Sequence, residues 1–360
     1  MKQLSEYSFE IGAIRPPSEG GSHSLLLRIT RNCPWGRCKF CYGTPYNRDK
    51  FQLRTVDEIK KDIQTVKIIS DEIKEVSGRM GYAGNINSAV GTTMIRSEPG
   101  LSDSYSFVTV FNWLFSGGRT VFLQDADSLI MRTPELIEVL KYLKETFPNI
   151  ERITSYARAR SIYLKSFEEL KAIRAAGLNR LHIGLESGDD VVLKHIEKGV
   201  TAEQLISAGK KAKEAGFEFS VYVMPDIGGR AMSEQHAKNT ARVLNQINPD
   251  YIRLRPLVPR PGTPLFDEYE KGDFRISTPH ERLRELKTMI EALTVTSHVC
   301  FDHMMNGWRK SSGEFLFTQD YEGYKFPEEK EKVLELIEEG LRVNESLHVD
   351  AREMIALQYL

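Results

Sequence analysis

Residues 180–225 read "RLHIGLESGDDVVLKHIEKGVTAEQLISAGKKAKEAGFEFSVYVMP". An apolar run, 180–186, is followed by an amphipathic helical stretch over 189–215, a glycine at 216, and a second apolar run at 218–225. Strand, helix, glycine, strand is the signature of a βα unit on a parallel sheet, with the glycine closing the helix.

Outward from this unit the pattern repeats. "YIRLRPLVP" (251–259) follows it, and "RITSYA" (152–157), "TVFLQD" (120–125) and "LLLRIT" (25–30) precede it, which makes six strands. Helical patterns lie at 55–77, 133–147, 166–176 and 233–247, some opened by a capping residue such as Thr133 before Pro134, or Ser233. This alternation predicts an α/β fold, a barrel or partial barrel of (β/α)6 type over 24–265, behind an N-terminal extension at 1–23. The exception is 78–118, rich in glycine, serine and asparagine before it turns aromatic, which reads as a lid, a binding loop or a plain surface insertion. After Gly262 the alternation stops. Charged amphipathic stretches at 279–295 and 328–345 flank "CFDHMMNGWRKSSGEFLF" and predict a helical cap over 266–360.

With 49 Lys and Arg against 50 Asp and Glu, composition gives no support for nucleic-acid binding through a global basic field. There is no apolar run near the roughly twenty residues of a membrane span and no signal-peptide core at the start, so the sequence reads as cytoplasmic. Four cysteines arranged three-plus-one make a poor disulfide framework, and in a reducing compartment a metal explains them better.

Cys33, Cys38 and Cys41 form C-x4-C-x2-C on the loop behind the first strand, the carboxyl edge where ligands of parallel sheets sit. Three thiolates on an iron-sulfur cluster leave one iron open, whereas a structural zinc wants four ligands. Pro34 and Gly36 let the loop curl, and Phe40 and Tyr42 shield a cluster from water. A zinc site completed by a distant histidine, or three structural thiols, is the alternative. Cys300 reads as a buried apolar residue. No Walker or dinucleotide-binding glycine loop is present, and the eight histidines show no metal-binding spacing.

"RNCPWGRCKFC" behind an apolar strand resembles the cluster loop of the radical S-adenosylmethionine (SAM) superfamily, with one residue more between the first two cysteines than the usual C-x3-C-x2-C. "VFLQDADSL", "RITSYARA", "RLHIGLESGDDVVLKHIEKGVT" and "PDYIRLRPLVPRPGTPL" extend the resemblance over about 24–265, toward the branch of oxygen-independent coproporphyrinogen oxidase and the methylthiotransferases. The resemblance implies a 4Fe-4S cluster on Cys33, Cys38 and Cys41, and SAM on the open iron. It also implies reductive cleavage to a 5′-deoxyadenosyl radical, fed by a flavodoxin- or ferredoxin-type donor, and hydrogen abstraction from a substrate, here expected to be a small molecule.

The strand ends are then the expected SAM contacts. Asp125 or Asp127 would receive the methionine ammonium, or else cap the next helix. Ser155 and Arg158 lie at the third strand, where an arginine fork suits the SAM carboxylate. Glu186 is implied to accept the ribose hydroxyls, against a helix-cap reading, with Ser187 beside it as the better capping candidate. "MPDIGGR" is implied to line the adenine. Arg253 and Arg255 alternate onto one face of the sixth strand, for an anionic substrate or for structural ion pairs. The rival readings are RNA or peptide modification on the same barrel, and a non-catalytic haem- or zinc-binding protein.

Overall fold

The computed structural model describes residues 3–12, 23–41 and 50–355. Tyr42 lies outside them. The chain divides into two units, residues 1–34, 50–156 and 171–180, and residues 35–49, 157–170 and 181–360.

In the first unit β1 (Leu25–Arg28) pairs in parallel with a later strand, Thr120–Gln124. Between them in sequence a short antiparallel pair, β2 (Thr30–Arg31) and β3 (Gln52–Leu53), closes back on itself. Thr120–Gln124 is therefore β4, and β5 (Arg152–Ala157) lies parallel on its other side. Leu25, Leu26 and Leu27 are all buried, as a parallel strand covered on both faces requires. The helix Val56–Arg79 starts in a capping box between Thr55 and Glu58 and buries Ile59, Ile63, Val66, Ile69 and Ile73 at helical spacing. The 78–118 stretch is no open loop. It holds two helices, Ser88–Ser97 capped by Asn87 and Tyr105–Phe115 capped by Ser104, the second burying Phe107, Val110 and Trp113.

The second unit carries most of β6 (Leu178–Glu186), then β7 (Glu218–Val223), β8 (Tyr251–Leu254) and β9 (His298–Cys300), with β10 (Tyr324–Lys325) antiparallel to β9. Registers Ser220↔Tyr251 and Tyr251↔His298 align β7, β8 and β9 in parallel. One face of these three strands is aliphatic and buried (Val221, Val223, Ile252, Leu254, Val299), as a face under helices must be. The other carries Ser220, Tyr222, Tyr251, Arg253, His298 and Cys300, in which the register sets Tyr222, Arg253 and Cys300 side by side.

The helices expected near 279–295 and 328–345 are Pro279–Ala292 and Lys330–Arg342. Three details depart from the sequence reading, the first being that Thr133 does not cap its helix but is its first residue, with Arg132 at the cap position. The stretch at 189–215 is two helices, Asp190–His195 and Ala202–Glu214, parted by a turn in which Glu197 and Gly199 take positive φ. Ser233 caps nothing, because its helix begins four residues earlier, at Gly229. The class is α/β throughout.

Candidate active site

In the first unit the ends of β1 and β4 are tied together by charge. Asp125 is buried at the end of β4, where its Oδ2 accepts from Arg28 Nε (2.9 Å), Arg28 Nη2 (2.7 Å) and the backbone N–H of Asn32 (3.1 Å). Burial pushes the Asp125 carboxyl up, and Arg28 opposes that shift. Its Oδ1 has no hydrogen-bond partner and faces Gly12, where a Cβ would stand 2.2 Å away. Gly12 itself is held by two bonds to the Gln124 side chain. Arg28 and Asn32 thus occupy Oδ2 of Asp125, while Oδ1 is buried against Gly12. What Asp125 does hold is Asn32, at φ 65°, the residue before Cys33. Asp127 is buried as well.

In the second unit the loop Trp35–Cys41 is pinned at several points. Trp35 Nε1 donates to the Glu197 carbonyl (2.7 Å), and Lys39 N–H donates to the Ile196 carbonyl (3.0 Å). The Lys39 carbonyl accepts from Leu265 N–H, while its ammonium pairs with Glu268 at 2.6 Å. Phe40 packs on the cluster that contains Ile196, Leu257 and Leu265. Gly36 takes φ 60°, a left-handed step that absorbs the longer first spacing and leaves the second half of the motif intact. There Cys41 N–H donates to the Cys38 carbonyl (3.1 Å), so one turn carries both thiols.

Glu186 ends β6 at φ 62°, a left-handed conformation that costs a non-glycine residue about 1–3 kcal/mol. Its Oε1 accepts from Lys198 Nζ at 2.9 Å, with side-chain exposures of 10% and 15% for the pair. Burial works against the charge on Lys198, but Glu186 and the thiol of Cys38 outweigh it and raise its pKa. The same ammonium lies 5.7 Å from the centre of the Phe40 ring. Gly184 is what admits this pair: a Cβ there would meet Glu186 Oε1 at 2.0 Å and Lys198 Nζ at 2.8 Å. Cys38, Phe40, Glu186 and Lys198 therefore form one neighbourhood.

The remaining expected residues have the following partners. Arg158 donates to the Lys198 carbonyl (3.1 Å) with its guanidinium 5.1 Å from the Trp35 ring centre, so it braces the turn. Ser155 is buried and donates to the Tyr156 carbonyl. Ser187 is buried, hydrogen-bonded to His236 Nδ1 (2.8 Å) and accepting from Asp189 N–H, and the helix cap is Asp189. Sequence reasoning passed over Lys198, Trp35 and Gly184. The glycine spacing ahead of Glu186 was the available signal for the last, and a lysine in "EKGV" gave none.

None of the four cysteines forms a disulfide. Cys300 is buried, donates to the Tyr321 carbonyl, and burial pushes its thiol up to about 12, which makes it a poor ligand. Cys33, Cys38 and Cys41 are half-buried. The structure brings Cys38 and Cys41 together, and Cys33 belongs to the other unit. Among the described residues no group of three or more His, Cys, Asp and Glu gathers around one point. By donor chemistry the Cys38–Cys41 turn fits an iron-sulfur group, since it offers soft thiols, partial exposure and a nearby ammonium that favours thiolate.

Comparison with known proteins adds four findings. Residues 109–241 match the family model of the radical SAM superfamily. The tRNA uridine(34) acetyltransferase of Methanocaldococcus infernus is 24% identical over 175 residues, 46% of this chain and 31% of that protein. The heme chaperone HemW of Bacillus subtilis is 22% identical over 205 residues, 56% of this chain and 53% of that one. The chain thus spans from just under a third to about half of these curated relatives. Among solved structures, methylornithine synthase aligns with a TM-score of 0.44 and 15% identity, covering 76% of this chain and 65% of that one. The family's cofactors are a 4Fe-4S cluster and SAM. Residues 109–241, a little over a third of the chain, are thus similar to the radical SAM superfamily, and the fold they sit in is α/β.

Proposed function

We propose that this protein is a radical SAM enzyme acting on a small molecule, with Cys33, Cys38 and Cys41 holding the cluster and Glu186 holding the ribose of SAM. The observation that carries the reading is the Glu186–Lys198 pair beside Cys38. Lys198 occupies only Oε1 of Glu186, leaving Oε2 to accept from ribose hydroxyls. When bound on Cys33, Cys38 and Cys41, the cluster would supply the one-electron reducing chemistry needed for SAM cleavage and hydrogen abstraction from the substrate. The chain's own residues orient and shield. Lys198 offsets thiolate charge at Cys38, Phe40 lends an apolar wall, and Trp35 and Arg158 fix the turn that carries Lys198. Asp125 sets the backbone just ahead of Cys33. A flavodoxin- or ferredoxin-type protein is the proposed electron donor.

Anaerobic reconstitution tests this directly. The expected product is a brown protein with about four irons and matching sulfide, yielding 5′-deoxyadenosine with dithionite and SAM, and losing both properties on Cys38→Ala. A colourless, zinc-loaded protein overturns the reading. The likeness to a heme chaperone supports a second reading, a haem carrier on the same fold. A Soret band on adding haem, without 5′-deoxyadenosine, would favour it.

A further inference from the structure

The face of β7, β8 and β9 opposite the aliphatic one carries a guanidinium with unused bonding capacity. Arg253 is 1% exposed at the middle of that face. Its Nη1 donates to Asp302 Oδ2 (2.6 Å) and to the Tyr321 carbonyl (3.2 Å). The rings of Tyr321 and Tyr251 cover its plane, at 4.0 and 4.9 Å from the guanidinium carbon. Nε and Nη2 have no hydrogen-bond partner. A buried donor left unpaired costs about 1–3 kcal/mol, more on a charged group, so two on one arginine call for a reason.

The two unpaired atoms define the reason. Nε–H and one Nη2–H point the same way, along the edge that grips both oxygens of a carboxylate. We propose that this edge of Arg253 is the receptor for a carboxylate group of the substrate, which resolves the small molecule of the proposed function into a carboxylic acid. The inference rests on that reading for the word substrate, but not for the site.

The surroundings agree in charge. Asp302 balances Arg253 only through Nη1, and Glu322 is engaged by the Tyr251 hydroxyl at 3.0 Å. Cys300, next to Arg253 in register, stays a neutral thiol. Arg255 and Arg260 both act on His303, whose imidazole burial and those two cations hold neutral. Half-buried Tyr222, Arg253's register partner on β7, touches the ring of His182 on β6 at 5.8 Å. His182 shares its face of β6 with Glu186, two pairs of residues along. The carboxylate receptor and the proposed ribose acceptor therefore belong to one sheet face.

Calorimetric titration with succinate and with inorganic phosphate, in chloride-free buffer on the full chain, tests the site without needing the cluster. Wild type should bind succinate more tightly than phosphate. Arg253→Lys keeps the charge but loses the paired N–H edge and should bind succinate about tenfold more weakly. Asp302→Asn removes the competing internal carboxylate and should bind it more tightly, a result that a structural ion pair would not give. Failure of wild type to bind succinate, a preference for phosphate, unchanged affinity in Arg253→Lys, or no gain in Asp302→Asn overturns the proposal. If Arg253→Lys does not fold, Asp302→Asn alone decides. Absence of 5′-deoxyadenosine from reconstituted wild type would sink the enzyme reading and leave the anion titration to stand or fall by itself.

Discussion

Glu186 and Asp226 hold equivalent places and have opposite fates. Glu186 is the last residue of β6 and Asp226 lies three residues beyond β7, and each takes a left-handed backbone, φ 62° and 68°. Asp226 is sealed. Arg282 reaches it through Nε (3.0 Å) and Nη2 (2.8 Å), and Ser277 N–H reaches both its oxygens. Glu186 has one ammonium on one oxygen. Two acids with the same backbone strain thus differ in that one has both oxygens engaged and the other only one, and the number of bonds each receives tells them apart.

The largest expected effect falls on the sealed side. Arg282→Met leaves the Asp226 carboxylate buried without its cation and should lower the unfolding free energy by about 3–5 kcal/mol in denaturant titration. A loss as small as that of a surface substitution would mean that the clamp is no clamp. On the open side the currency is ligand affinity. Glu186→Gln should weaken SAM binding to the cluster-loaded protein about tenfold or more, while the unfolding free energy stays within about 1 kcal/mol. If instead stability collapses and affinity survives, the two acids are alike.

A third comparison uses pH. Burial, then the neighbouring Asp226 carboxylate, pushes Glu285 up from 4.5 to about 8. The folded state therefore holds a proton there that the unfolded chain releases, so stability is fullest below 4.5 and is lost as pH rises toward 8. Glu285→Gln, which keeps the bonds to Ser233 and the Asp226 backbone in neutral form, should flatten that stretch of the stability profile. An unchanged slope would exclude Glu285 as its source. The smallest effect is expected at Cys300, where Cys300→Ser should cost about 1 kcal/mol and leave the iron content of reconstituted protein untouched. Iron loss there would make Cys300 a ligand after all.

The six main strands were legible because buried parallel strands are continuous apolar runs, and each was found within a few residues. β9 and β10 were not, being three and two residues long. The break between Asp190–His195 and Ala202–Glu214 was hidden because Glu197, no glycine, makes the left-handed turn. Two facts about the site were beyond local reading. Asp125 could be placed at a strand end, but its partner Arg28 lies 97 residues away, on the strand beside it. Lys198 sits in a charged stretch that reads as surface, and only the chain reversal after Ile196 turns it inward to Glu186. The place of Glu186 at the end of a strand was legible, because the apolar run "LHIGL" ends at it.

Bonds that fix Trp35–Cys41 run to the carbonyls of Ile196 and Glu197, the N–H of Leu265 and the carboxylate of Glu268. Gly199 leaves room for nothing but Trp35, since a Cβ there would come within 2.6 Å of the indole. For the cluster proposed at the Cys38–Cys41 turn, these bonds predict loading as a filling step and not a folding step. Its rate should follow the supply of iron and sulfide, with the amides of Lys39 and Cys41 already slow to exchange with deuterium before any metal arrives.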